Sequence, residues 1–388
     1  MKAILKKNEE QNLLNGFPWI YRNEVASLEG EVTSGGEVKV YSSSGEFIGI
    51  GYLNLQSKIL IRLLSLQDEA LDSAFFEKRI KEAYNHRLIL GIIDNCRLIF
   101  SEGDYLPGLV VDKYNDYLVI EIATAGMEAR RNLIIDALDK VIHPKGIYER
   151  SDTPSRLKEG LLPKTGFIGK EFPLKQIITE NGIKMEVDLE SGQKTGHFYD
   201  QRENRALLKN YVAGKSVLDL CCHTGGFSLH ASKYGAKEIS SVDISEEALS
   251  RVNINASLNG FNNIKTICSD VFTFLDEALS KSLTFDVVIL DPPAFAKNKD
   301  NLNTAYHGYL KANTKALQVV QKGGYLFTFS CSGLIRPEVF LEMLNEASMK
   351  AGKRTSLVSF TLQAPDHPMR LNGLNNLYLK CAILKVEE

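Results

Sequence analysis

Between Ser216 and Cys331 the chain alternates short apolar runs with amphipathic stretches, and this rhythm restricts the possible folds more than any other feature. The runs Ser216–Leu220, Glu238–Asp243, Ile264–Cys268, Phe285–Asp291 and Tyr325–Cys331 have the length and the branched or aromatic content of strands. Between them, 226–234, 245–259, 270–280 and 304–321 carry helical spacing. Strands alternating with helices predict an α/β fold built on a doubly wound, Rossmann-like, largely parallel sheet. Ligands of such sheets lie at the carboxyl ends of the strands, beside the reversal of strand order.

The rest of the 388 residues implies further domains. Residues 1–68 read as a small β-rich module, with Gly-containing turns at Ser34-Gly35-Gly36 and Ser44-Gly45-Glu46 between short alternating runs. Residues 69–180 read as a central α/β segment and linker. It has a helix from Asp72 to Leu90, strands at Arg97–Ser101 and Tyr117–Ala123 around a turn-rich stretch, and a helix near Glu128–Val141. Residues 151–180 are polar and contain Pro154, Pro163 and Pro173, which suits a linker or an irregular hairpin. The alternating domain then occupies 181–388.

Composition narrows the functional classes. The net charge of −2 excludes a general electrostatic grip on nucleic acid, so any RNA contact needs a local basic face. Arg150, Arg156, Lys158, Lys164, Lys170 and Lys175 offer a phosphate-facing strip, but they interleave with Asp152, Glu159 and Glu171, and ordinary solvated charges are the favoured reading. No window approaches the roughly 18 apolar residues of a membrane span, and the first residues lack the apolar run of a signal peptide. A cytoplasmic protein with no membrane partner is expected. The six cysteines include no CxxC pair, so no metal is expected and the thiols are expected to be free. A homodimer is an open expectation.

Each strand end carries a chemical residue. The first runs into Asp219-Leu-Cys-Cys-His-Thr224-Gly225-Gly226-Phe227, where a glycine turn lets backbone N–H groups and a helix N-terminus approach a ligand closely. The dinucleotide fingerprint GxGxxG is missing. An acid ahead of the turn suits a cationic ligand, and Asp219 can face the amino and sulfonium end of S-adenosylmethionine; a plain tight turn is the alternative. Asp243 ends the second strand, where an acid can accept two hydrogen bonds from a ribose diol, or else cap the helix that follows. Asp270 ends the third and can accept from an adenine amino group, or likewise cap. Ile244 and Val271 follow these two acids and complete the expected nucleoside site with Thr224, Gly225 and Gly226. The joint order of these acids points to S-adenosylmethionine.

The fourth strand ends in Asp291-Pro292-Pro293-Ala294-Phe295. Two prolines hold the chain in a rigid turn, so Asp291 can bond a base edge, Pro292 and Pro293 can line the substrate's place, and Phe295 can stack on a planar base. The fifth strand ends in Cys331, which places a thiol on the same rim. Carbon 5 of a pyrimidine is a poor nucleophile. Thiolate addition at carbon 6 makes it enamine-like and able to attack a methyl cation equivalent. A space-filling cysteine at a strand end is the alternative.

These residues closely resemble the bacterial 23S ribosomal RNA cytosine-5 methyltransferases that carry an N-terminal PUA domain. The resemblance covers essentially the whole chain. It runs through Gly16-Phe17-Pro18-Trp19-Ile20, the long stretch Ser191-Gly-Gln193-Lys194-Thr195-Gly196-His-Phe198-Tyr-Asp200-Gln201-Arg202, then Thr224-Gly225-Gly226-Phe227, Asp291-Pro292-Pro293, Ser330-Cys331-Ser332-Gly333 and Asp366-His367-Pro368. It implies a PUA-like RNA-binding front, 23S rRNA as partner, Cys331 as nucleophile and Asp291 as its partner at the base. It also implies S-adenosylmethionine along Asp219, Gly225, Asp243 and Asp270, with Gln193, Phe198 and Arg202 at the cofactor or bracing the sheet. One departure stands out: the more common RNA cytosine-5 enzymes have a second cysteine after Pro-Pro, where this chain has Ala294, so the group that releases the adduct is unidentified. The rival readings are guanine N-methylation of rRNA, which needs no thiol, and a non-catalytic RNA-binding assembly factor.

Overall fold

The computed structural model describes residues 1–192, 194–294, 302–372 and 376–387. They form two compact units through which the chain passes more than once: Met1–Gln176 with Val187–Tyr199 and Pro365–Asn376, and Ile177–Glu186 with Asp200–Ala364 and the chain from Leu377 onward.

The first unit contains two sheets. The front sheet has six strands, in the spatial order Trp19–Tyr21, Ile59–Ser65, Phe47–Leu53, Glu37–Tyr41, Lys2–Leu5 and Val25–Glu29. Alternate residues such as Val38 and Val40, with Ala3, Leu5 and Ile61, fill one buried core. The second sheet has five strands, in the order Lys164–Ile168, Gly146–Ser151, Tyr117–Ile122, Leu109–Tyr114 and Asn95–Phe100. Helix Ser73–Ile89 starts at Asp72, whose carboxylate accepts the Phe75 N–H at 3.1 Å. Its Phe76, Ile80 and Ala83 share a core with Leu98, Ile120 and, from helix Arg131–Ile142, Ile134 and Leu138.

One strand of this sheet lies inside the stretch read as turn-rich, and another takes the hairpin rather than the linker alternative for 151–180. Leu109–Tyr114 is flanked by Pro107-Gly108 and Asn115-Asp116, whose turn signals mask its short apolar run. Lys164–Ile168 pairs antiparallel with Gly146–Ser151, so the polar stretch is structured. In the basic strip Lys158, Lys164, Lys170 and Lys175 are exposed, as ordinary solvated charges are, while the two arginines are engaged by the protein. Arg156 is 3 % exposed and donates to the carbonyls of Ile122 and Leu162 and to Glu128, while Arg150 donates to those of Leu189 and Gly192.

The second unit contains a seven-stranded sheet. Its strands are β1 (Ser216–Leu220), β2 (Glu238–Asp243), β3 (Ile264–Cys268), β4 (Phe285–Leu290), β5 (Val320–Ser330), β6 (Thr355–Leu362) and β7 (Lys380–Val386). The spatial order is β3-β2-β1-β4-β5-β7-β6. The first five pair in parallel, and β7 runs antiparallel to both β5 and β6. Helices α1 (Gly226–Lys233), α2 (Glu246–Leu258), α3 (Val271–Ser280), α4 (Leu302–Val319) and α5 (Pro337–Ala351) connect or follow the strands. Leu218, Leu220, Val288, Leu290 and Leu326 pack with Leu275, Leu317 and Phe340 on one side of the sheet. Val217, Val287, Ile289, Phe327 and Phe329 pack with Phe227 and Ala231 on the other. Burial on both faces explains why the central strands read as continuous apolar runs. Strand order reverses between β1 and β4, and that switch point fixes where a ligand is held. Among the described residues no helix is long and apolar enough to cross a membrane.

Candidate active site

The rim starts at the loop from β1 to α1. Cys221, His223 and Gly225 all have positive φ, at 60°, 50° and 84°. Two non-glycine residues in that region cost on the order of 1–3 kcal/mol each, a strain that proteins retain mostly where a loop shape is needed. Gly225 also lies against α2, where an added Cβ would meet the Val252 side chain at 3.0 Å. Gly226 opens α1 with the Arg205 guanidinium so close that a Cβ would stand 3.0 Å from its Nη1. Arg205 is itself fixed by a two-point ion pair to buried Glu180, at 2.8 and 3.1 Å.

Asp219 is wholly buried, and its Oδ2 accepts from the backbone N–H of Ser228 at 3.0 Å and from the Ser228 hydroxyl at 2.6 Å. It therefore ties the glycine loop to its strand. Its Oδ1 is buried and has no hydrogen-bond partner among the described residues. Burial, above all, pushes the Asp219 carboxyl up to about 7, with the Ser228 bonds opposing and the Asp291 and Asp243 charges adding to the rise. An unpaired buried carboxylate oxygen beside a strained glycine loop is what a cationic ligand would complete, and S-adenosylmethionine carries both an ammonium and a sulfonium.

The other acids separate from their capping alternatives to different degrees. Asp243 is not the cap of α2: Ser245 is, accepting from the Ala248 N–H at 3.1 Å. The Asp243 carboxylate accepts one bond per oxygen, from the N–H of His223 at 2.8 Å and of Ser245 at 3.0 Å, and is only half-buried. Ile244 beside it is 73 % exposed, an apolar surface open to a flat ring. Asp270 does cap α3, through Oδ1 to the N–H groups of Phe272 and Thr273 at 2.9 and 3.1 Å, so its capping alternative holds; Oδ2 is not used for this. Half-buried Val271 packs on the core below, and Thr224 lies half-buried with its carbonyl accepting from Asn255 at 3.3 Å.

At the ends of β4 and β5 the chemical pair meets. The Cys331 Sγ lies 3.6 Å from Asp291 Oδ1 and donates to it. Cys331 is half-buried and packs against the core below the sheet's end. A relay of polar side chains fixes the carboxylate. The Thr361 hydroxyl donates to Asn204 Oδ1 at 2.6 Å, Asn204 Nδ2 to Gln201 Oε1 at 2.8 Å, and Gln201 Nε2 to Asp291 Oδ2 at 2.9 Å. Each link sets the orientation of the next amide, so the carboxylate faces the thiol with little freedom. Burial raises the Asp291 carboxyl to about 6; the Asp200 charge adds to this, and the bonds from Cys331 and Gln201 oppose it. Pro292 is buried and Pro293 exposed, a rigid edge at the mouth. The neighbouring thiols differ: burial pushes Cys221, Cys222 and Cys381 far up, and they are inert as nucleophiles.

Four further residues were expected at the cofactor or substrate. Gln193 and Phe295 lie outside the described residues. Phe198 belongs to the first unit, where the Lys194 ammonium stands 4.5 Å from its ring centroid. Arg202 is buried in the second unit with its Nε 3.7 Å from Glu180, which supports bracing. Sequence reasoning missed Gln201 as a partner of Asp291, although it stands in the quoted 191–202 stretch. It also missed Asp200, whose carboxylate accepts from Tyr378 Oη at 2.5 Å.

Known proteins resemble this chain along its whole length. Residues 3–66 match the PUA-like domain, and residues 167–367 match the S-adenosylmethionine-dependent methyltransferase model. A protein of Tolumonas auensis named ribosomal RNA large subunit methyltransferase I is 38% identical over 391 residues, covering 99% of this chain and 98% of its own. One of the same name from Aeromonas salmonicida is 39% identical, covering 98% of each. The crystal structure of SMU.776 complexed with SAH superposes with a TM-score of 0.87 at 25% identity over the full length of both chains. The chain belongs to the S-adenosylmethionine-dependent methyltransferase family and carries a PUA-like domain at its front.

Proposed function

We propose that this chain methylates carbon 5 of a cytosine in large-subunit ribosomal RNA through a covalent adduct of Cys331. Ribosomal RNA as substrate draws on the names of the relatives. The carbon-5 chemistry rests on one observation, the hydrogen-bonded pair of Cys331 Sγ and Asp291 Oδ1 on the rim. Methylation of a ring nitrogen has no use for that thiol, because the nitrogen already owns a lone pair.

S-adenosylmethionine supplies an electrophilic methyl group. The chain's residues do the rest. Asp219 and the loop through Thr224, Gly225 and Gly226 would hold its amino-acid end, and Asp243, Ile244, Asp270 and Val271 its nucleoside. The Cys331 proton passes to Asp291 Oδ1 as sulfur adds to carbon 6 of the base. Asp291, now protonated, donates to the ring nitrogen N3, where the negative charge arrives. Its raised pKa matches that exchange near neutrality. The relay from Thr361 to Gln201 keeps the carboxylate on station throughout.

Large-subunit rRNA from cells lacking this gene, incubated with the protein and S-adenosylmethionine and digested to nucleosides, is expected to yield 5-methylcytidine by mass spectrometry. A methylguanosine product would overturn the carbon chemistry. No methyl transfer despite measurable cofactor binding would favour an assembly factor.

A second expectation concerns Asp219. A cationic ligand beside a carboxyl that titrates at about 7 favours its ionised form, so cofactor binding near pH 6 should release up to about one proton. The release should fade above about pH 8, where Asp219 is already ionised. Calorimetry in two buffers of different ionisation enthalpy measures it, and Asp219→Asn should abolish it. Binding with no proton release near pH 6 would remove Asp219 from the cofactor's charge.

A further inference from the structure

A net charge of −2 leaves any grip on RNA to a local cluster of cations, and one such cluster in the first unit surrounds a cavity of about 260 Å³. Its lining draws on stretches far apart in the chain. Phe17 and Leu66 come from the PUA-like front, Lys78 and Arg79 from helix Ser73–Ile89, and Tyr105 and Arg370 complete the mouth. Among the described residues of the lining, the three cations face one carboxylate, that of Glu69, which the Ser65 hydroxyl already engages at 2.5 Å.

The protein uses few of the donors that these cations carry. Among the described residues, exposed Lys78 and half-buried Arg370 form no ion pair. Arg370 lies instead on Tyr105, its Cζ 3.8 Å from the ring centroid, and Arg79 stands 5.2 Å from the same ring. Arg79 gives Nη1 to Glu82 and Nη2 to the Leu64 carbonyl, both at 3.2 Å, while its buried Nε has no hydrogen-bond partner among the described residues. Tyr105 is 47 % exposed with φ at 60°, a left-handed backbone that a bulky residue adopts only where its surroundings impose it. One strained ring thus holds two guanidiniums that repel each other until an anion joins them. Beside them the Phe17 ring is fixed edge-on against Trp19, at 5.7 Å, whose indole N–H donates to Glu102 at 3.0 Å.

We infer that this cavity receives one unpaired nucleotide of the RNA substrate, its phosphate held by Arg370 and Lys78 and its base against Phe17 and Leu66. The inference rests on RNA being the substrate, not on the chemistry at Cys331, which belongs to the other unit. A stacked guanidinium and a nearby ammonium match a phosphate. The apolar wall serves no purpose for a free phosphate, whereas a nucleobase has a flat face to lay on it. The space admits a base with its sugar and excludes a double helix, so the RNA is taken where it is single-stranded. An acidic peptide fits less well. It would add to a sheet edge through free N–H groups, but the edge strand Trp19–Tyr21 follows Pro18, which has no N–H and whose carbonyl accepts from Leu63 at 2.8 Å.

Photocrosslinking tests it on the full chain with no variant. Large-subunit rRNA transcribed with 4-thiouridine, irradiated on the protein and digested, is expected to leave nucleotides on peptides containing Phe17, Tyr105 or Arg370. Crosslinks confined to other peptides would overturn the inference. Lys78→Gln and Arg370→Gln should each weaken binding of the same rRNA by ~5–10-fold, with S-adenosylmethionine affinity within ~2-fold of wild type. Each should also lower the slope of log affinity against log salt by about 0.7, the share of one phosphate on a single strand. In methyl transfer the KM for rRNA should rise by a similar factor and kcat stay within ~2-fold, a split that a folding defect does not produce. Lys78 is exposed, so its replacement does not threaten the fold. Unchanged affinity and slope in both variants would overturn the inference. So would variants that keep their grip on naked rRNA and lose it on the ribosomal subunit, which would give the cavity to a ribosomal protein. A wild-type chain that ignores rRNA would sink the proposed substrate and this site with it, whereas an active Cys331→Ala protein would sink the thiol mechanism alone.

Discussion

Cys331→Ala is expected to lower methyl transfer by about ten-thousand-fold or more while leaving cofactor affinity within about twofold. The size of the loss follows from the chemistry. Without the adduct, carbon 5 has no electron pair to offer, and no other thiol can substitute. Cys221, Cys222 and Cys381 are held protonated by burial, and exposed Cys268 ends β3, on the far side of β1 and β2 from the pair. Stability should fall by only about 1 kcal/mol, because one half-buried sulfur is removed from the edge of a core. Tritiated methyl transfer and calorimetric cofactor binding on the same preparation check both halves. A variant within tenfold of wild type would rule out the covalent route, and the site would then have to be read as a nitrogen methyltransferase.

The parallel half of the catalytic sheet was legible because its central strands are buried on both faces and its strands end in turns. The five runs between Ser216 and Cys331 match β1 to β5, apart from β4 and β5 ending one residue sooner, at Leu290 and Ser330, and β5 starting earlier, at Val320. The acids and the cysteine at their ends followed from topology alone. The antiparallel edge was not legible. Thr355–Leu362 alternates weakly, and Lys380–Val386 opens with a lysine, which argues against a buried strand. That lysine is buried with its ammonium donating to the carbonyls of Ser332 and Tyr378, partners that no spacing along the chain reveals. Asp219 shows another limit. Its position announced a ligand site, yet one of its oxygens braces Ser228, a bond set by loop geometry that no spacing reveals. In Arg156 and Arg150 the sequence offered a choice between solvent and phosphate; backbone carbonyls took both side chains instead.

Asp291→Asn should separate activity from stability. Methyl transfer is expected to fall by about a thousandfold or more, since an amide can neither take the thiol proton nor hand one to N3. The fold should respond in the opposite direction, and only above neutrality. Asp291 titrates at about 6 in the folded chain against ~3.9 for an unfolded aspartate, so the native state holds its proton more tightly. The stability this contributes is complete below about pH 4 and is lost as pH rises through about 6. The gap amounts to ~3 kcal/mol at most, and the carboxylate's partial solvation reduces it to ~1–2 kcal/mol. Asparagine is neutral at every pH and keeps an oxygen for the Gln201 amide. The variant should therefore match wild type near pH 4 and exceed it by ~1–2 kcal/mol near pH 8. Urea denaturation of cofactor-free protein at the two pH values measures the difference. Equal destabilisation at both would mean that the carboxylate is a structural hydrogen-bond acceptor, held at no electrostatic cost, and its place in proton transfer would go with it.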